Sequence, residues 1–479
     1  MKINRREFIK TSIGLGATVL VGSGISSLLG STAFAATQSL NITITDAMKD
    51  MVTDNPGNPA KCYFWVYKMT ADEVPIRAEV PGPNIFMTKG DTINISIKND
   101  LDEPHAFAIP GIFESGPIAA GATFNGIIDT TTASSGAHLY YDNLNQPVNR
   151  VMGLHGAFIV MAKDPSGAKF TPYDAADVTP GVQKLFDDFG SSRHYPGLAW
   201  DGYDTNPASY VPAKRTYIWL VHQASPNLFA AVGNLPAGQD YPPQQFMDKF
   251  LRDQFNPIHD PLHPELSNNI PIYFTINGQS GHYSHNYPHC TPNCRVGEPG
   301  VIHILNAGLW THSMHLHANH FYVTFDSKKG GVQENPLWID VYNVEPMDRI
   351  DYVIPYMRPP DVPNKRGIGN PDILSGKDVP LISNKGKPVW PPYEEMAMFI
   401  PKQGTKAGIV DISVQLSPLC YPMHDHSEPS QTAQGGNYNL GLISGINFTG
   451  DRNIPGGVKT FPNPPDYYPP NATGPAGGT

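Results

Sequence analysis

Thr311-His312-Ser313-Met314-His315-Leu316-His317-Ala318-Asn319-His320-Phe321-Tyr322-Val323 is the stretch that decides how this chain is read. Just upstream runs Gly297-Glu298-Pro299-Gly300-Val301-Ile302-His303-Ile304-Leu305-Asn306-Ala307-Gly308. Apolar flanks of this kind mark a buried strand rather than a solvated loop. Side chains alternate between the two faces of a strand. His315 and His317 therefore share one face and His312 takes the other, so one short segment offers imidazoles to metal on both sides.

Working outward, the chain reads as all-β. Pro 48 and Gly 45 among 479 residues, with only 16% charged, describe a turn-rich β protein. Leu40–Thr45, Tyr63–Tyr67 and Asp91–Ile97 read as strands bounded by turn signals such as Pro81-Gly82-Pro83 and Lys89-Gly90-Asp91. With the return Gly153–Met161 they compose a first β-sandwich over residues 37–163. Residues 164–213, rich in Pro, Asp, Gly and Tyr, read as a connection. A second sandwich is expected over 214–450, from Arg215–Val221 through Tyr273–Gly278, Val301–Leu305, the histidine strand and Ile350–Ile354, with later strands near Met396–Ile400 and Gly408–Gln415. It carries an insertion at 234–269 with one short helix near Gln244–Phe255. The Pro- and Gly-rich tail, 451–479, is expected to be extended or disordered.

Residues 1–35 are expected to stand outside the fold. Asn4-Arg5-Arg6-Glu7-Phe8-Ile9-Lys10 is a twin-arginine export motif, followed by an apolar run from Ile13 to Leu29 and the small-residue cleavage pattern Ala33-Phe34-Ala35. The reading is therefore a periplasmic or otherwise exported protein, with no segment of membrane-spanning length afterwards. The leader carries a net +3 of the formal −10, leaving −13 on the remainder. That balance argues against nucleic acid or an anionic membrane surface as partner. Four cysteines enter an oxidising compartment: Cys62, Cys290, Cys294 and Cys420. Cys290-Thr291-Pro292-Asn293-Cys294 is suited to a disulfide-closed loop, with Cys62 and Cys420 as a second pair. The alternative for His282–Cys294, with its three histidines and two cysteines, is a soft-metal cluster.

Six motifs, in order between residues 80 and 450, resemble the multicopper oxidase family. They are Gly90–Leu101, Gly116–Gly121, Gly153–Val160, Thr275–Gly278, His312–His317 and His424-Asp425-His426. The resemblance implies tandem cupredoxin-like Greek-key β-sandwiches. It also implies a type 1 copper that takes electrons and a three-copper cluster that reduces dioxygen. By position, His312 falls to the type 1 site, His315 to type 2 copper, and His317, His424 and His426 to the type 3 pair. Several family ligands are missing. Asp425 stands where the type 1 thiolate belongs, Ser430 where its second imidazole belongs, and Gly435 near its axial position. In the first domain His105 is kept, but Phe107, Tyr141 and Asn143 replace ligands.

A blue copper site needs a thiolate and two imidazoles, so no type 1 centre is expected. The expectation is that His105, His315, His317, His424 and His426 converge on one site between the sandwiches. His312, His155 and Asp425 are secondary candidates for it. Imidazole ligation and the family favour copper, with the number of ions open and another transition metal compatible. The function implied is an exported copper oxidoreductase acting on a small-molecule substrate or dioxygen at a mononuclear or reduced cluster. The alternative is a non-catalytic copper-sequestering protein. Two-domain members of the family form trimers with the pocket between neighbours, so a homotrimer is the expected assembly.

Overall fold

The computed structural model describes residues 18–21, 39–51, 60–71, 74–75, 79–162, 171–188, 216–252, 272–281, 284, 290–296, 299–355, 419–427, 430 and 441–451. The strands expected near Met396–Ile400 and Gly408–Gln415, the tail and most of the His282–Cys294 cluster lie outside the described residues.

Period-two alternation builds the first sandwich. In Thr92–Asn99 the inward positions Ile93, Ile95 and Ile97 are buried while their neighbours face out. This strand sits between Ser39–Met51, parallel, and Thr123–Asp129, antiparallel. Ala60–Ala71 and Val74–Pro75 complete that sheet. The opposing sheet runs Thr18–Val21, Gly82–Thr88, His155–Met161, Gly136–Tyr141, Ala108–Ile109, Phe113–Glu114. Thr18–Val21 thus lies parallel to Gly82–Thr88 at a sheet edge, although the leader was expected to stand outside the fold.

The second sandwich has the same two-layer plan. One sheet runs Tyr273–Ile276, Thr216–Ala224, Gly300–Asn306, Arg349–Ile354, Phe321–Asp326, Gly331–Ile339. The other runs Asn293–Val296, Ile443–Asp451, Leu419–Asp425, His312–Leu316, Val341–Val344. The chain is therefore all-β, two sandwiches in tandem. Thr216–Ala224 and Gly300–Asn306 are buried along most of their length, as strands covered on both faces must be.

An apolar layer joins the sandwiches. Phe86, Leu139 and Ile159 from the first pack with Ile218, Leu220 and Leu305 from the second. Each such side chain contributes about 1.5–3 kcal/mol when fully buried. Polar contacts frame the layer. Arg349 Nη1 donates to Ala137 O at 2.7 Å and to His138 Nδ1 at 2.9 Å. Tyr173 Oη donates to Asp351 Oδ2 at 2.7 Å. Arg150 Nη1, from the short helix Val148–Val151, donates to Ala307 O and Gly308 O.

The expected helix in the insertion is Pro243–Arg252, where Phe246 and Phe250, four residues apart, bury one face against Phe229. The connection contributes Pro180–Asp188, which lies so close to Gly331–Ile339 that a Cβ on Gly181 would fall 1.6 Å from Glu334 O.

The expected disulfides do not form. Cys62 and Cys290 are free and buried. Cys290 Sγ donates instead to Ile276 O at 3.3 Å. Cys294 and Cys420 belong to strands on either side of Ile443–Asp451, opposite Phe448 and Asn447 respectively.

Candidate metal centre

The strands His312–Leu316 and Leu419–Asp425 are antiparallel neighbours, with Met314 opposite Asp425, His315 opposite His424 and Leu316 opposite Met423. Alternation then fixes every orientation. His312, Met314, Leu316, Met423 and Asp425 are buried, while His315, His317, His424 and His426 turn to the outer face.

Four imidazoles meet on that outer face. Ring centroids of His315 lie 5.0 Å from His317, 5.4 Å from His424 and 5.0 Å from His426. One ligand nitrogen from each of His315, His424 and His426 falls within 4.8 Å of the others. His317 Nε2 stands 2.8 Å from His424 Nε2. Two backbone carbonyls set the ring orientations: His315 Nδ1 donates to Asp340 O and His424 Nδ1 to Asp425 O, both at 2.9 Å. Fixing Nδ1 in this way aims Nε2 at the centre of the group. Partial burial, with the neighbouring imidazoles adding to it, lowers the pKa of His317. Burial likewise lowers that of His315, outweighing the nearby Asp340. Both rings are thereby kept as lone-pair donors near neutrality, the form a metal requires.

The donor set fits a transition metal that accepts imidazole, copper among them. It does not extend to the other four candidates of the sequence reading, His105, His155, His312 and Asp425, in the way expected. His105 belongs to the first sandwich and is wholly buried there, against the Trp65 ring at 4.8 Å. Its Nδ1 donates to Asp142 Oδ2 at 2.7 Å, and Asn149 Nδ2 donates to the same oxygen at 3.0 Å. Its Nε2 is buried without a hydrogen-bond partner and lies 3.9 Å from Glu103 Oε1. His105 therefore does not join the imidazole group within the protomer, because that group faces outward from the outer sheet of the second sandwich.

His155 is also elsewhere. Its Nδ1 donates to Arg150 O at 2.8 Å and its ring packs on His222 at 4.4 Å, between the sandwiches. Burial lowers its pKa to about 3.

His312 and Asp425 hold each other instead of metal. His312 Nδ1 donates to Asp425 Oδ2 at 2.7 Å, and Gln223 Nε2 donates to His312 Nε2 at 2.6 Å. Asp425 also accepts Ser313 N at 2.6 Å, Ser427 N at 3.2 Å and Ser430 Oγ. Burial would raise its pKa, but the bonds from His312, Ser430 and Ser313 outweigh this and lower it. Both nitrogens of His312 are engaged, and no sulfur ligand stands at position 425.

Gln223 and His222 escaped the sequence reading. The signal was available: two adjacent polar residues end the apolar run Ile218-Trp219-Leu220-Val221, and buried polar side chains require partners.

Residues 66–165 and residues 260–355 each match a family model described as multicopper oxidase. The first match spans His105 and His155; the second spans His312, His315 and His317 and ends before His424. No curated protein matches the chain. Among solved structures, a blue copper oxidase from Nitrosomonas europaea is similar at 14% identity and TM-score 0.47, covering 85% of this chain and 85% of its own. The multicopper oxidase mgLAC is similar at 16% identity and TM-score 0.47, covering 90% and 91%. A copper nitrite reductase from Nitrosomonas europaea is similar at 15% identity and TM-score 0.43, covering 86% and 95%.

Proposed function

We propose that this chain, which belongs to the multicopper oxidase family, is an exported copper oxidoreductase. It acts on dioxygen or a small substrate at a site made by His315, His317, His424 and His426, and it lacks a blue type 1 centre. One observation carries the reading: four imidazoles on two paired strands, with His317 Nε2 and His424 Nε2 2.8 Å apart. Copper bound there supplies one-electron redox chemistry. The protein's part is to orient and to leave access. His315 and His424 are fixed through backbone carbonyls, whereas His317 and His426 are exposed and leave the outer side open to a small reactant.

The twin-arginine motif at Asn4–Lys10 supports export. The absence of a type 1 centre is supported by the engagement of both His312 nitrogens and by Asp425 at the thiolate position. A homotrimer in which a neighbour's His105 completed the site would have to uncover a ring that is wholly buried here. The site proposed is made by one protomer.

The second reading, copper sequestration without turnover, is favoured by the exposure of His317 and His426 together with the missing thiolate. Metal content and dioxygen uptake, measured on protein purified without added metal, separate the two. Copper lost in His315→Ala, with oxygen-dependent turnover in the parent, supports the oxidoreductase. Copper without turnover supports sequestration. A four-copper protein with an intense blue absorption overturns the proposal.

A further inference from the structure

The buried polar chain behind the imidazole face has a direction. Leu309 N donates to Gln223 Oε1 at 2.8 Å. A backbone N–H can only donate, so the carboxamide oxygen must face Leu309 and its NH2 must face His312. Gln223 Nε2 then donates to His312 Nε2, which leaves the ring proton on Nδ1, aimed at Asp425. At the far end Ser313 N and Ser427 N donate to Asp425 Oδ1, and again neither can reverse. Peptide amides at both ends thus impose one polarity on the whole chain. Gln223, His312, Asp425 and Ser430 are all buried to within 1% of complete. Gly308 is part of the same construction, since a Cβ there would fall 2.0 Å from Gln223 Oε1.

We propose that Asp425 is a positioning residue for the imidazole group: it closes this directional chain and locks the two histidine strands in the register that brings His315, His317, His424 and His426 together. The inference rests on the metal site proposed above. Asp425 lies between His424 and His426 in sequence and points to the opposite face, and the amide it binds, Ser313 N, belongs to the strand that carries His315. It acts on the site through the backbone of both strands, without touching the metal.

The polarity supplies a specific test. Asp425→Asn keeps the shape but presents an NH2 to the Nδ1–H of His312. If the ring shifts its proton to Nε2, that proton meets the NH2 of Gln223, and if Gln223 flips, its NH2 meets Leu309 N. The conflict can move along the chain but cannot leave it. Adding Gln223→Glu resolves it. The new carboxylate accepts both Leu309 N–H and His312 Nε2–H, the asparagine NH2 donates to His312 Nδ1, and every member is satisfied with the polarity reversed.

Copper(II) affinity is measured on the full chain by chelator competition, and the His312 tautomer by nitrogen-15 histidine NMR on metal-free protein. Asp425→Asn is expected to weaken copper binding about ten- to hundredfold, the loss typical of groups that orient ligands. The double variant is expected to regain most of that affinity, with the His312 proton moved from Nδ1 to Nε2. Unchanged affinity in Asp425→Asn overturns the inference, as does a double variant that stays as weak as the single. Should Asp425→Asn fail to fold, the double variant decides: native-like copper binding supports the inference, and misfolding or lost binding overturns it. Should the parent bind no copper, the proposed function falls, and the inference that rests on it falls too; an Nδ1 proton on His312 would then establish the polar chain alone.

Discussion

His315 and His424 stand directly opposite each other on antiparallel strands, and the next pair along is Met314 with Asp425. One strand pairing therefore presents two faces with different chemistry. The outer face gathers imidazoles, and the inner face holds a hydrogen-bonded carboxylate. The two faces are chemically independent because residues 424 and 426 do not share a face with residue 425.

Removal of one outer imidazole should remove the metal without unfolding the protein. His315→Ala is expected to weaken copper binding by at least about a hundredfold, beyond the loss typical of orienting partners. His105→Ala should leave copper binding unchanged. It should instead cost about 1–3 kcal/mol of stability, because the wholly buried Asp142 loses a donor. Calorimetric copper titration and urea unfolding of both variants check the contrast. Copper loss in His105→Ala would return that residue to the site.

The four outer histidines were legible in the sequence because alternation along a strand is local and has a fixed period. His312 and Asp425 were harder, since parity places them on a common inner face but does not reveal Gln223, which comes from a strand 89 residues away. His105 was misplaced for a different reason. Its ligand position in the family motif is a property of one loop, whereas its distance from His315 depends on how the four sheets are ordered and which faces they turn outward. Disulfide pairing failed likewise: sequence spacing does not reveal that Cys62 and Cys290 are each buried as free thiols, Cys290 bonded to Ile276 O.

Gly153 precedes His155 at a turn that only glycine accommodates. Its φ is +124°, and a Cβ there would fall 2.5 Å from Trp65 O. The backbone cannot yield easily, because Trp65 N donates to Met152 O at 3.0 Å. Gly153→Ala is expected to destabilise the chain by about 1–3 kcal/mol from backbone strain alone, with the clash adding to it. Urea midpoints of parent and variant measure this, and an unchanged midpoint would refute it.

Burial pushes the thiols of Cys62 and Cys290 well above their ordinary pKa. The thiolate is the reactive form, so neither should be alkylated in the native protein at pH 8. Both should react once it is unfolded in denaturant without reductant. Mass spectrometry of iodoacetamide-treated samples checks this; a Cys290 that requires reductant before it reacts would restore the disulfide.

His138 links the sandwiches and should make their union sensitive to acid. Its Nε2 donates to Ser134 O at 2.8 Å, so Nδ1 must accept the bond from Arg349. Burial first, and the Arg349 cation second, lower its pKa to about 4 from an ordinary 6.5. A histidine whose folded pKa is lowered stabilises the fold fully above the unfolded pKa. That contribution is lost as pH falls through 6.5 toward 4, because the unfolded chain takes the proton first. Across that window the loss amounts to roughly 3 kcal/mol for this group. Asp351 and Asp177 act in the opposite direction and are not enough to cancel it. Denaturant midpoints between pH 7 and pH 4.5 should therefore fall in the parent and fall less in His138→Gln, whose amide can still donate to Ser134 O and accept from Arg349. Parallel pH profiles in the two proteins would show that acid acts elsewhere.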